Sequence, residues 1–205
     1  MLRKIIAALW IGIVGFCSVG AGPAMADIKR VIVAGGCFWC VEADFESLPG
    51  VLEVETGFTG GHTRNPTYKA VARGNTGHYE AVRIRFDTSA ISLEDILTLY
   101  FRSVDPTDAH GQFCDRGDRY RTAIFVRGRK ERAVAEAARA DAQAHLGQRI
   151  VTPILEAGRF YRATRFHQGF YKSTRILPVS IVGLARQKSE AYAYYREQCG
   201  RDARL

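Results

Sequence analysis

The sequence predicts an α+β fold, a mixed sheet flanked by helices in a single two-layer domain with a ferredoxin-like core and long loops. Three observations predict it. Segments of period two and of helical period interleave in a βαββαβαβ-like order. No internal repeat, low-complexity tract or Pro/Ser linker divides residues 27–205. The 205 residues, 47% hydrophobic and 24% charged, have a globular composition. A chain of about this size buries roughly 70% of its unfolded surface and needs no disulfide or metal staple.

The elements follow in order. Residues 30–34 form a short β-rich run that ends in Gly35-Gly36. From 37 to 48 the apolar positions Phe38, Val41, Phe45 and Leu48 recur at helical spacing, and Pro49-Gly50 stops the helix. Residues 51–58 read as a strand, followed by a glycine-rich loop over 59–77. In 80–87, Val82, Ile84 and Phe86 point one way while Arg83 and Arg85 point the other, as in a half-buried strand. Ser92 is an N-cap with Asp95 three residues on, and Ile91 can staple onto Ile96; this helix runs to Ser103. After a long loop through 119, residues 121–126 form a strand and 129–146 an alanine-rich helix closed by Gly147. A strand over 149–155 and a last helix within 181–197 complete the chain. The loops 59–77 and 104–119 exceed ordinary connections, which marks them as functional candidates.

Residues 1–26 read as a signal peptide. Arg3 and Lys4 precede an apolar run over 5–19, and Ala24-Met25-Ala26 supplies small residues at alternate positions. The run is short for about 30 Å of hydrocarbon, so a retained anchor is the lesser reading. Bulky Phe16 before Cys17 argues against a lipoprotein. A periplasmic or secreted domain over 27–205 is expected, without stable membrane association. It has four cysteines, Cys37, Cys40, Cys114 and Cys199, and no methionine. The net charge of +8 comes from 29 basic residues, 23 of them arginine, interleaved with acidic ones. Such dispersion describes a mildly basic surface and does not favour nucleic acid as a partner.

Four cysteines in an exported chain can make two structural disulfides. Cys37 and Cys40, however, frame a Cys-x-x-Cys at a strand-to-helix junction. The helix dipole and free backbone N–H groups there favour a thiolate on Cys37, and a neighbouring cysteine can add to this. Cys-x-x-Cys alone is compatible with a buried pair, a redox couple or zinc; no second Cys-x-x-Cys and no histidine pair at ligand spacing accompanies it, so no metal is expected.

Several ordered motifs resemble one family. They are Gly36-Cys37-Phe38-Trp39, Gly57-Phe58-Thr59-Gly60-Gly61, Asn65-Pro66-Thr67-Tyr68 and Gly74-Asn75-Thr76-Gly77-His78-Tyr79-Glu80. Asp105-Pro106-Thr107, the segment from Asp115 to Arg121, and His167-Gln168 continue the series. Over about residues 30–172 the sequence resembles the A-type peptide methionine sulfoxide reductases, and the Cys199-Gly200-Arg201-Asp202 tail resembles one subgroup. The resemblance implies reduction of the S epimer of methionine sulfoxide, free or in proteins. It implies Cys37 as nucleophile, Glu80 as the acid on the sulfoxide oxygen, Tyr68 and Tyr120 as donors to that oxygen, and Asp115 as an orienting group. Phe38 and Trp39 would receive the substrate methyl. A resolving cysteine (Cys199 or Cys40 ahead of Cys114) would form a disulfide for a thioredoxin-like dithiol reductant, with no bound cofactor. A monomer is expected.

Elementary chemistry supports those roles. Sulfoxide sulfur becomes a good electrophile only as its oxygen takes up a proton, so one soft nucleophile and one carboxylic acid are the minimum kit. A glutamate that donates near neutrality needs an apolar enclosure, of the sort that Tyr79 and Phe38 as neighbours would supply. A sulfenic acid left on sulfur condenses with a nearby thiol. His78, His110 and His167 read as hydrogen-bonding supports, and Arg116, Arg119 and Arg121 as loop anchors to carboxylates. Three departures from the family pattern stand out: Phe58 for tyrosine, and Thr164 and Phe166 for Glu and Tyr. The rival functions are an exported thiol–disulfide oxidoreductase and a basic binding module.

Overall fold

The computed structural model describes residues 27–178 and 185–203. The leader read over 1–26 and the first part of the region expected to hold the last helix lie outside the described residues. Strand β1 (Ile28–Gly35) passes through Gly36 and Cys37 into α1 (Phe38–Glu46), then β2 (Val51–Thr59). Helix α2 (Tyr68–Arg73), β3 (Tyr79–Asp87) and α3 (Leu93–Ser103) follow. The next loop carries a small hairpin of β4 (Gly111–Gln112) and β5 (Asp115–Arg116), then a 3-10 turn (Asp118–Tyr120). After β6 (Thr122–Val126) come α4 (Gly128–Leu146), β7 (Ile154–Glu156) and β8 (Tyr161–Arg162). A short ribbon of β9 (Ile176–Leu177) and β10 (Arg186–Gln187) leads into α5 (Lys188–Cys199).

Six strands form one sheet in the order β7-β6-β1-β3-β2-β8. The inner four, β6-β1-β3-β2, are mutually antiparallel neighbours with α1 and α3 as crossovers, which is the expected ferredoxin-like core. Strand β7 adds in parallel to β6 and β8 adds antiparallel to β2, making the sheet mixed.

Strand alternation sorts the core. Val31, Val33, Val82, Ile84 and Phe86 pack with Phe45, Ile96, Leu97 and Ala135 of the helices. On the opposite face Ile32, Ala34, Tyr79, Ala81, Ala123 and Phe125 form a second cluster, covered by Leu155, Ala157 and Phe160. Arg83 and Arg85 share that second face and pair with Glu55 and Glu53 across the β2–β3 register. The predicted cap of α3 is present: Asp95 N–H donates to Ser92 Oγ at 3.0 Å, and Ser92 N–H to Asp95 Oδ2 at 3.1 Å. Helix α4 ends on Gly147, whose φ of +63° accepts the left-handed turn.

The structure departs from the sequence reading at several elements, among them the β4–β5 hairpin within the 104–119 loop. Helix α2, six residues opened by the Thr67 cap, lies in the stretch read as loop; it is too short to show a helical period. Of the expected strand over 149–155 only Ile154 and Leu155 pair, in a strand that runs on to Glu156. Val151 N–H goes instead to Pro106 O and Ile150 N–H to Gln143 Oε1, and Pro153 has no N–H to give. The β8 edge of the sheet, Tyr161–Arg162, is too short to carry a period-two signal. Among the described residues no helix is long and apolar enough to cross a membrane.

Candidate active site

The site forms where β1 ends. Gly36 turns with φ +88°, and a Cβ there would lie 2.7 Å from Cβ of Gln112, so the chain can reach Cys37 only through glycine. Cys37 is the N-cap of α1, and Cys40 lies one turn on. Both thiols are free and buried, in a cluster with Phe170, Leu177 and Tyr192 from the C-terminal region. Burial pushes the Cys37 thiol well above its ordinary range, reinforced by its hydrogen bond with Cys40 and by the carboxyls of Glu80 and Asp115. Cys40 moves down, because it receives that hydrogen bond and lies near Arg201 and Arg196. Water exclusion under α5 thus opposes the favourable helix terminus that the sequence offers Cys37.

Glu80, in β3 opposite Phe58, is 2% exposed. Burial raises its carboxyl to about 8, against the downward pull of the Phe38 N–H and Arg119. Phe38 N–H donates to Glu80 Oε2 at 3.3 Å, and Arg119 Nε stands 3.6 Å from Oε1. That Oε1 and that Nε have no hydrogen-bond partner among the described residues. The raised acid was expected, but Tyr79 does not enclose it. Successive strand residues face opposite ways, and the Tyr79 ring packs edge-on to Phe125 on the other side of the sheet.

Tyr68 opens α2 and Tyr120 ends the 3-10 turn, both half-buried. Burial, then the charge of Glu80, raises both phenols, Tyr68 to about 12. They are therefore hydrogen-bond donors throughout the neutral range. Arg119 Nη2 donates to Tyr120 Oη at 2.9 Å and Nη1 to Ala72 O at 2.6 Å, tying the turn to α2. Asp115 is raised by burial and accepts a short hydrogen bond from Tyr195 of α5. The five residues expected to do chemistry thus meet from α1, α2, β3, β5 and the 3-10 turn.

Beside them lies a mainly apolar cavity of about 490 Å³ lined by Trp39, Tyr68, Phe166, His167, Phe170 and Tyr195, among others. Trp39 stacks on Phe170 with centroids 3.8 Å apart, and His167 stacks on Tyr68 at 4.4 Å. Phe38 is not part of that lining. It is 1% exposed and packs against Phe58 at 5.8 Å and His167 at 5.4 Å. Burial lowers His167 to about 4, so it is a neutral stacking ring, and its Nδ1 has no hydrogen-bond partner among the described residues. Its neighbour Gln168 fixes the segment by accepting from Thr56 N–H at 3.1 Å and donating to Thr56 O at 2.9 Å. His78 is the support expected, with Nδ1 receiving Gly61 N–H and Nε2 against Thr63 O.

Cys114 and Cys199 form a disulfide that closes 85 residues of sequence, with Cys114 exposed. Cys114, ranked behind the other candidates, is thus the partner of Cys199, whereas Cys40 stays with Cys37. Cys114, Asp115 and Cys199 bring ligating atoms within 4.8 Å of one another, but the two sulfurs are spent on each other. The sequence reading missed Arg119 and Tyr195 as members of the site. Arg119 was read as a loop anchor to a carboxylate; the carboxylate is Glu80.

A buried thiol beside a protonated carboxylic acid, phenolic donors and a second cysteine pair define a thiol-dependent oxidoreductase on a ferredoxin-like frame. A family profile described as "Peptide methionine sulfoxide reductase" matches residues 29–198. Peptide methionine sulfoxide reductase MsrA 2 of Caulobacter vibrioides is 44% identical over 186 residues, covering 89% of this chain and 87% of that protein. Among solved structures, methionine sulfoxide reductase A of Corynebacterium diphtheriae aligns with a TM-score of 0.62 at 31% identity, over 69% of this chain and 72% of that one. Reduced Mxr1 of Saccharomyces cerevisiae gives 0.65 at 25% identity, over 68% and 82%, and another structure shows Mxr1 in complex with Trx2. The chain belongs to the peptide methionine sulfoxide reductase family and is an oxidoreductase.

Proposed function

We propose that this protein reduces the S epimer of methionine sulfoxide, free or in oxidised proteins, with Cys37 as nucleophile and Glu80 as acid. The observation that carries the roles is the protonated Glu80 carboxyl held against the first N–H of the helix that Cys37 caps. Glu80, Tyr68 and Tyr120 donate to the sulfoxide oxygen as Cys37 sulfur attacks the substrate sulfur. The S–O bond breaks, methionine leaves, and the oxygen stays on Cys37 as a sulfenic acid. Trp39 is the wall for the substrate methyl, while Asp115 orients the polar side.

The lowered thiol of Cys40 resolves the sulfenic acid, releasing water and forming a Cys37–Cys40 disulfide. Attack by Cys199, then by Cys114, moves the disulfide outward and restores two inner thiols. In sum, one sulfoxide and two thiols become one thioether, one disulfide and water. Free Cys37 and Cys40 beside a bonded Cys114–Cys199 correspond to the end of that sequence. The exposed Cys114 sulfur is then the point for an external dithiol, and a thioredoxin-like protein of the cell envelope is its chemical class. The signal-peptide pattern of residues 1–26 and the methionine-free sequence after it support a repair enzyme working in the periplasm or outside the cell.

The test is turnover of each methionine sulfoxide epimer with dithiothreitol, beside Cys37→Ser and Glu80→Gln. Wild type should consume one epimer and Cys37→Ser neither. Turnover by Cys37→Ser, or equal use of both epimers, overturns the assignment.

A further inference from the structure

Arg201 stands two residues beyond Cys199 and is 2% exposed, among the largest fully buried side chains, although Asp202 and Ala203 beside it are exposed. Its guanidinium spans three elements. Nη1 donates to Gly35 O at 3.2 Å, at the end of β1; Nη2 donates to Asp44 Oδ2 of α1 at 3.0 Å and to Ser103 O, at the end of α3, at 2.7 Å. The cation also lies 4.9 Å from the ring centroid of Phe113, the residue before Cys114, which has a φ of +54°. Asp44 binds a second arginine of the tail, Arg196, at 2.8 Å.

Burying a guanidinium is costly unless charge and hydrogen bonds compensate, and here one carboxylate and two carbonyls do so. Hydrophobic packing does not require a charged fork at this position. What the fork does is fix the last turn of the chain to the strand end that carries Cys37, while its face meets the loop that carries Cys114. None of these contacts passes through the disulfide.

We propose that Arg201 is a positioning residue for thiol exchange: it bolts the Cys199 end of the chain opposite Cys114 in both redox states. Cys199 then meets Cys114 at high effective concentration whenever the pair is reduced, without a new search by a free tail. This rests on Cys114–Cys199 being an exchanging pair, and not on which substrate oxidises it.

The test equilibrates the full chain with reduced and oxidised dithiothreitol and counts thiols at Cys114 and Cys199 by alkylation and mass spectrometry. Each exchange converts one protein disulfide and one dithiothreitol to two protein thiols and the cyclic disulfide. Arg201→Met should lower the equilibrium constant for the protein disulfide at least about tenfold, which is about 30 mV for a two-electron couple. Arg201→Lys, with charge but no fork, should recover part of that loss. A chain ending at Gly200 should behave like Arg201→Met and guards against misfolding of the buried substitution. A constant within about twofold of wild type in both overturns the proposal. Loss of the folded state in both also overturns it, since Arg201 would then belong to the core. Because no sulfoxide is present, failure here leaves the substrate assignment standing, and a pair that never exchanges in wild type refutes the relay instead.

Discussion

Phe38 N–H donates to Glu80 Oε2 across 42 residues of sequence. The bond joins the first helical residue after the Cys37 cap to β3, the strand paired directly with β1, so nucleophile and acid are held by one contact. It also stabilises the ionised form of Glu80, yet burial wins and the carboxyl remains largely protonated at neutral pH.

Replacing Glu80 by Gln should lower kcat by about 10²–10⁴-fold, the usual worth of a positioned acid. In wild type the acid must be protonated, so the rate should fall as pH rises through 8. A pH–rate profile with the small-molecule sulfoxide and a fixed reductant checks this.

The same group affects stability. Its folded value, about 8, lies above the ordinary 4.5, so its contribution is fully present below 4.5 and is lost as pH rises through 8. Glu80→Gln has no such loss. Its Tm should therefore gain on wild type between pH 4.5 and 8 and keep that advantage above, an effect on the order of a few kcal/mol at most. Thermal melts across that range read it directly.

Arg119 pulls the Glu80 carboxyl downward. Arg119→Met should move the alkaline limb of the rate profile above pH 8, in addition to lowering kcat through loss of the bond to Tyr120. A lower rate with an unmoved limb would mean that the arginine only supports the loop.

Cys114→Ser and Cys199→Ser should each still form about one equivalent of methionine in a single turnover, since Cys37 and its acid are untouched. Recycling by a protein dithiol should fall by about one to two orders of magnitude, because the disulfide cannot move to the surface. Rapid-quench product counts beside steady-state turnover separate the two.

Trp39 is the single tryptophan after residue 26, and its ring stacks on Phe170. Trp39→Ala should cut kcat/KM by about 10–100-fold, mostly through KM, as a lost apolar wall does.

The order of elements was legible because each long segment carries its own period. Val82, Ile84 and Phe86 against Arg83 and Arg85 define a strand face, and Ser92 with Asp95 defines a helix start, whatever surrounds them. Local chemistry also marks Cys37 beside its glycines, and the motifs mark Glu80, Tyr68, Tyr120 and Asp115. Nothing local reveals how deeply Cys37 is buried, because its cover, α5, comes more than 150 residues later in the sequence. For the same reason the free thiol at Cys40, the disulfide between Cys114 and Cys199, and the buried Arg201 were decided only by tertiary structure. Side-chain type and spacing are set along the chain. Desolvation and pairing depend on which distant surfaces close over a residue.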